Sequence, residues 1–231
     1  MSKRQEMREK RARQQRTQRI LIIVGVAVIA IAVALLLILP TLKPIGTITY
    51  NPMKNGAQVN LSGMGDPNAP VKIIEYSDFQ CPYCLKFLTD TEQQIIDTYV
   101  TTGKVYLEYH SFGSFIGAES GRAAEAAYCA ADQGKFWEMH DIIFSNQGAE
   151  NSGALADNRL TAFAAKIGLD AGKFSDCFSS HKYASRVSQD GVDAQTAGVQ
   201  ATPSFLVNGT LVEGAQPFSA FQTQIDALLK K

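Results

Sequence analysis

The chain has 231 residues with 22 basic and 22 acidic side chains, and its formal net charge of +0 hides a strong asymmetry. Residues 1–19 carry eight basic side chains (Lys3, Arg4, Arg8, Lys10, Arg11, Arg13, Arg16 and Arg19) against Glu6 and Glu9, leaving 14 basic and 20 acidic residues, net −6, for the rest. An apolar run set directly behind this basic head argues against a nucleic-acid-binding arm, and the roughly 190 residues that follow suffice for one well-buried domain.

That run, Ile20 to Leu39, is 20 residues long without a charge. At about 1.5 Å per residue it makes a helix of roughly 30 Å, the hydrocarbon thickness of a bilayer. The flanking Lys and Arg predict a cytoplasmic N-terminus and place everything after Pro40 on the other side. A cleaved signal peptide has a shorter apolar core and a small-x-small cleavage site. Leu35-Leu36-Leu37-Ile38-Leu39-Pro40 offers none, so the expectation is an uncleaved single-pass anchor. The predicted organisation is a basic cytoplasmic segment (1–19), a transmembrane anchor (20–39), a stalk (40–64) and a domain over 65–231. The stalk is expected to hold at most one short strand near Ile45–Tyr50.

Gly65-Asp66-Pro67-Asn68-Ala69-Pro70 is a turn cluster that introduces a strand at Val71–Tyr76. After Cys81-Pro82-Tyr83-Cys84 the pattern turns helical through Leu85, Phe87, Leu88, Ile95 and Ile96, and Gly103 leads into a second strand at Lys104–His110. Strand–helix–strand implies parallel pairing. From Gly117 onward the pattern stays helical, so a helical insertion is expected over about 117–196. Ser204–Val207 and Thr210–Glu213 then flank Asn208-Gly209, a two-residue hairpin signal, and Phe218, Phe221, Ile225, Leu228 and Leu229 stripe a last helix.

Cys81-Pro82-Tyr83-Cys84 concentrates the chemistry. Two cysteines one helical turn apart can close a disulfide. The first lies where unpaired N–H groups and the helix dipole favour a thiolate, which brings a thiol pKa from about 8.5 to roughly 3.5–7.5. A structural zinc site needs about four ligands, but Cys129 and Cys177 stand alone and His110, His140 and His181 do not pair at ligand spacing. His140, beside Trp137 on a helix face, reads as core. His110, at a strand end, is a weak candidate for substrate contact.

The segments Glu75-Tyr76-Ser77-Asp78-Phe79-Gln80-Cys81-Pro82-Tyr83-Cys84, Asp132–Trp137 and Gly198–Phe205 together resemble the DsbA-like family of extracytoplasmic thiol–disulfide oxidoreductases, in its membrane-anchored BdbD-type branch. The resemblance covers about Gly65 to Leu229 and implies an α/β thioredoxin fold with an inserted helical domain. It implies Cys81 as the exposed nucleophile, Cys84 as its buried partner, Glu75 as a buried proton-relay acid and Pro203 as a cis-proline facing the disulfide. Pro82, Tyr83, Thr202 and Pro203 are the implied substrate contacts, with Thr202 offering its backbone to an extended chain. Tyr83 stands where the strongest oxidants of the family often carry His, so it supplies no imidazole cation beside Cys81. Cys129 and Cys177 are either two small core residues or a structural disulfide; the oxidising compartment, the even count and the resemblance favour the disulfide.

The implied activity is donation of disulfides to exported proteins with reduced cysteines, with no cofactor, no metal and no nucleic acid. A quinone-linked membrane thiol oxidase of DsbB or VKOR type would regenerate the pair. The rivals are the same fold run as a reductase or isomerase, and a copper-delivery module on Cys81 and Cys84. No Met or His at ligand spacing favours the second.

Overall fold

The computed structural model describes residues 3–38, 45–53 and 57–230. It comprises two compact units, Met1–Gly46 and Thr47–Lys231. The first contains α1 (Lys3–Ile38), one continuous helix of 36 residues that takes in 3–19 of the basic head and 20–38 of the apolar run. Its window Arg16–Ala34 has a mean hydropathy of 2.3 and is not buried, so this helix is long and apolar enough to cross a membrane. Leu39, the last residue of the predicted anchor, lies outside the described residues, as do 40–44 and 54–56 of the predicted stalk.

The second unit is an α/β domain around a six-stranded sheet in the order β1-β2-β4-β3-β5-β6. Its strands are β1 (Val59–Asn60), β2 (Gly63–Met64), β3 (Val71–Ser77), β4 (Val105–Ser111), β5 (Ser204–Val207) and β6 (Thr210–Glu213). The central pair β3 and β4 runs parallel, with Glu75 opposite Tyr109, while β3 pairs β5 antiparallel with Glu75 opposite Phe205. The helical stretch that connects β3 to β4 runs through α2 (Pro82–Phe87), a π-helical turn (Leu88–Glu92), α3 (Gln93–Ile95) and a second π-helical turn (Ile96–Val100). Asn208 and Gly209 take φ of 45° and 83°, the paired positive φ that a type I′ hairpin turn requires.

Between β4 and β5 lie α4 (Ala118–Ala131), α5 (Phe136–Ser145), α6 (Asp157–Lys166), α7 (Ala171–Ser179) and α8 (Ala184–Thr196), and α9 (Phe218–Leu229) ends the fold. Small side chains let α4 pack closely: Ala123, Ala124, Ala126, Ala127 and Ala130 are fully buried. His140 is core, as expected, ringed by Phe79, Tyr109, Trp137 and Phe144 at centroid distances of 4.9–5.8 Å.

The expected stalk differs. Residues 45–50 form no strand. A strand needs a partner edge, and the backbone here finds side chains of α5 and the residue after it instead. Asn146 accepts from the Thr49 N–H at 3.0 Å and donates to the Thr49 carbonyl at 2.6 Å, and Asp141 Oδ2 accepts from the Met53 N–H at 2.7 Å. Farther on, β1 pairs with β2, and β2 joins the edge of β4 with Met64 fully buried, so these residues belong to the sheet and not to a linker.

Cys129 of α4 and Cys177 of α7 form a disulfide with their Cα atoms 5.8 Å apart and a sequence separation of 48. Closing a loop of that length stabilises by about 4 kcal/mol in the chain-entropy model. The double variant Cys129→Ala/Cys177→Ala is therefore expected to lose roughly 2–4 kcal/mol in urea unfolding. A loss under about 1 kcal/mol would show that the bridge constrains little.

Candidate active site

The site grows from the end of β3. Ser77 closes the strand, the chain turns through Asp78, Phe79 and Gln80, and Cys81 becomes the N-cap of α2 with Pro82 as its first helical residue. Proline fits there because its missing N–H would have no helical partner, and its fixed φ starts the helix. The Cys81 N–H donates to the Asp78 carbonyl at 3.0 Å, and the Cys81 carbonyl accepts from Cys84 and Leu85 at 3.1 and 3.2 Å.

Cys84 is 1% exposed and Cys81 6%, so the residue expected to be open to solvent is largely covered. Thr202 lies over it: the Cys81 thiol is 3.4 Å from the Thr202 carbonyl, and Thr202–Pro203 is a cis peptide bond. Chain segments far apart in sequence thus meet at one sulfur. Tyr83, by contrast, is 63% exposed and forms part of the rim beside the exposed Pro82.

The two sulfurs are electrostatically unequal. A hydrogen bond from the Cys84 thiol, with smaller help from Thr202 and the N–H groups of Cys84 and Tyr83, outweighs burial and brings the Cys81 thiol down to about 6. Burial and the neighbouring Cys81 push the Cys84 thiol well above its ordinary value. Around neutral pH this favours the thiolate at Cys81 and the thiol at Cys84.

Glu75 lies on β3, six residues before Cys81, and is 2% exposed. Burial raises its carboxyl to about 7 against the opposing pull of His140 and Ser77. A carboxyl poised near neutrality suits proton exchange with a thiol. His110 is placed elsewhere: it stands between Glu108 and Asp190 at 3.4 and 3.3 Å, and these carboxylates outweigh burial to raise it to about 9.

A family model described as Thioredoxin matches residues 58–227. The probable disulfide bond formation protein D of Bacillus cereus is 32% identical over 200 residues, spanning 81% of this chain and 91% of that protein. The chain belongs to the DsbA-like thioredoxin family. The crystal structure of oxidised BdbD from Bacillus subtilis shares the fold, with a TM-score of 0.68 at 24% identity, covering 78% of this chain and 100% of that one. A thioredoxin-like oxidoreductase from Silicibacter pomeroyi gives a TM-score of 0.62 at 28% identity over 75% and 95% of the two chains. Similarity also extends to a Na(+)/H(+) antiporter NhaA of Salinispora tropica, 32% identical over 161 residues; the chain covers 24% of that longer protein.

Several residues that hold this DsbA-like site in place have no role in the sequence reading. Asp78 is buried, and its Oδ1 accepts from the Gln80 N–H at 2.8 Å and from Ser120 Oγ of α4 at 2.7 Å. Its own N–H donates to Cys84 Sγ at 3.5 Å. Gln147, just beyond α5, donates to both the Phe79 and Cys81 carbonyls at 2.8 and 3.0 Å. Asp78-Phe79-Gln80 carries a visible signal, an Asx turn that begins a helix. Gln147 carries none, because it stands in a polar loop whose approach to Cys81 depends on tertiary packing.

Proposed function

We propose that the chain donates disulfides to exported proteins through a Cys81–Cys84 redox pair, with its N-terminal helix as a single-pass membrane anchor and the basic head on the cytoplasmic side. The observation that carries this reading is the inequality of the two sulfurs: Cys81 is held as a thiolate in the reduced protein while Cys84 is held as a thiol. A reduced form stabilised in this way makes the disulfide a better oxidant, because Cys81 is the better leaving group.

In the oxidised protein a substrate thiolate attacks Cys81 Sγ, the Cys81–Cys84 bond breaks, and Cys84 leaves with the electron pair. Its thiolate takes a proton from Glu75, a buried carboxyl held near neutrality. The second substrate thiolate then attacks the substrate sulfur of the mixed disulfide and releases Cys81 as a thiolate. The substrate is oxidised by two electrons and the protein is left as a dithiol. Thr202 lies against Cys81 and, with the cis-bonded Pro203 after it, would align an extended substrate segment, with Pro82 and Tyr83 on the rim. A membrane thiol oxidase bearing a disulfide, of DsbB or VKOR type, would reverse the cycle.

The reduction potential of the pair, equilibrated against glutathione buffers, tests the direction. A value near about −120 mV, that of DsbA, is expected. A value near about −270 mV, that of thioredoxin, would assign the chain to reduction instead.

A further inference from the structure

Asp78 is a buried acid bonded through its backbone to both cysteines, and the exchange steps above give it no part. Its carbonyl accepts from the Cys81 N–H at 3.0 Å, and its own N–H donates to Cys84 Sγ at 3.5 Å. Cys81 and Cys84 are free thiols in this structure, so the N–H to sulfur bond belongs to the reduced protein.

The side chain fixes where that peptide points. Asp78 Oδ1 accepts from the Gln80 N–H at 2.8 Å and from Ser120 Oγ at 2.7 Å, and Oδ2 accepts from the Ile116 N–H at 3.3 Å. The three groups bonded to it are all donors, the set that an ionised carboxylate takes. Ser120 stands in the first turn of α4 and Ile116 just before it, where unpaired N–H groups and the helix dipole offset a negative charge. Burial raises the Asp78 carboxyl, and the bonds from Ser120, Gln80 and Ile116 oppose that. The bond to Gln80 closes a local turn, and the bond to Ser120 ties that turn to α4. The Asp78 N–H is thereby held on the Cys84 sulfur.

We propose that Asp78 is a positioning residue for the exchange reaction: its carboxylate clamps the turn so that its own N–H faces Cys84 Sγ and stabilises the negative charge that forms there when the disulfide opens. The inference rests on the reaction proposed above and on its order of attack. A substrate thiolate forms a bond to Cys81 Sγ, the Cys81–Cys84 bond breaks, and its electron pair goes to Cys84 Sγ. That charge arises on a sulfur 1% exposed, where bulk water does not reach it. A donor already in place stabilises it with no reorganisation, and a better stabilised thiolate leaves faster. In the second step Cys81 is the sulfur that leaves, and the Asp78 N–H is bonded to the other one. The effect of Asp78 is therefore confined to the step in which Cys84 departs.

The test measures the two steps separately on the full chain in lipid nanodiscs. For the first, excess reduced glutathione opens the oxidised protein, followed by acid quench and mass spectrometry. For the second, the Cys84→Ser variant is loaded with glutathione on Cys81, and thiol attack on the glutathione sulfur releases Cys81. Asp78→Ala is expected to slow opening about tenfold and to change the release of Cys81 by less than about twofold. Asp78→Asn keeps Oδ1 as an acceptor for Gln80 and Ser120, and its opening rate is expected within about threefold of the unsubstituted protein. Equal slowing of both steps by Asp78→Ala, or an unchanged opening rate, overturns the proposal, as does an Asp78→Asn as slow as Asp78→Ala. Should Asp78→Ala not fold, Ser120→Ala removes one of the three bonds and is expected to slow opening alone by about threefold; no loss there overturns the proposal equally. The position of the first glutathione tells the two readings apart. Glutathione on Cys84 in the unsubstituted protein sinks the order of attack, and the role of Asp78 with it. Glutathione on Cys81, with both steps slowed alike, sinks the role of Asp78 alone.

Discussion

Cys81→Ser is expected to lose thiol–disulfide exchange by more than about a thousandfold, since in the proposed exchange the Cys81 sulfur of the disulfide is attacked and later leaves as a thiolate, and a hydroxyl at the same place forms no disulfide. The fold should persist. Cys81 is small, its backbone bonds to Asp78, Cys84 and Leu85 do not involve the sulfur, and serine is a good N-cap residue. Cys84→Ser should behave differently. Cys81 remains able to attack a disulfide but no neighbouring thiol resolves the product, so mixed disulfides accumulate and are visible on non-reducing gels. The contrast between a silent Cys81→Ser and a trapped Cys84→Ser assigns the order of attack. Equal trapping by both variants would mean that either sulfur is reached from outside. That outcome contradicts the difference in burial and in proton affinity between them.

The second large effect concerns Glu75, where activity and stability should move in opposite directions. Glu75→Gln removes the group proposed to exchange a proton with Cys84, and a loss of about a hundredfold in the resolving step is expected at neutral pH. The stability effect follows from linkage. The carboxyl titrates near its ordinary 4.5 when unfolded and at about 7 when folded. Between those values the unfolded chain binds fewer protons, so stability falls as pH rises from about 4.5 to about 7 and stays reduced above it. Glutamine carries no such penalty. Glu75→Gln should therefore match the unsubstituted protein near pH 4 and exceed it by on the order of 1–3 kcal/mol at pH 8, read by urea unfolding. A difference that does not grow with pH rules out a protonated, buried Glu75.

Much of this was legible in the residues. The turn cluster before Val71, the hairpin at Asn208-Gly209 and the helical run from Gly117 each carry a local signal strong enough to set an element, and the sheet pairs them accordingly. Cys81 and Cys84 are legible because strand, turn and helix N-terminus lie contiguous in sequence. The described residues within the expected stalk of 40–64 have a polar, glycine-containing pattern without a period. Their hydrogen-bond partners, Asn146 and Asp141, stand about 90 residues away and leave no trace in the local sequence. Gln147 was not legible at all, since its function is to reach a backbone carbonyl that only the folded insertion brings near.

That amide side chain ties two parts of the domain into one opening unit. Phe79 and Cys81 are gripped by Gln147, Gln80 by Ser120 and Asn151, and Asp78 by Ser120 and the Ile116 N–H, so every residue from 78 to 81 is held by the insertion. Fluctuations that release the first turn of α2 must break those ties. In native-state hydrogen exchange the amides of Cys84 and Leu85 should then share the opening free energy of the α4–α5 region and not that of a frayed helix end. The insertion thus acts as a brace for the dithiol turn, and its local unfolding free energy limits how often Cys84 is bared to solvent.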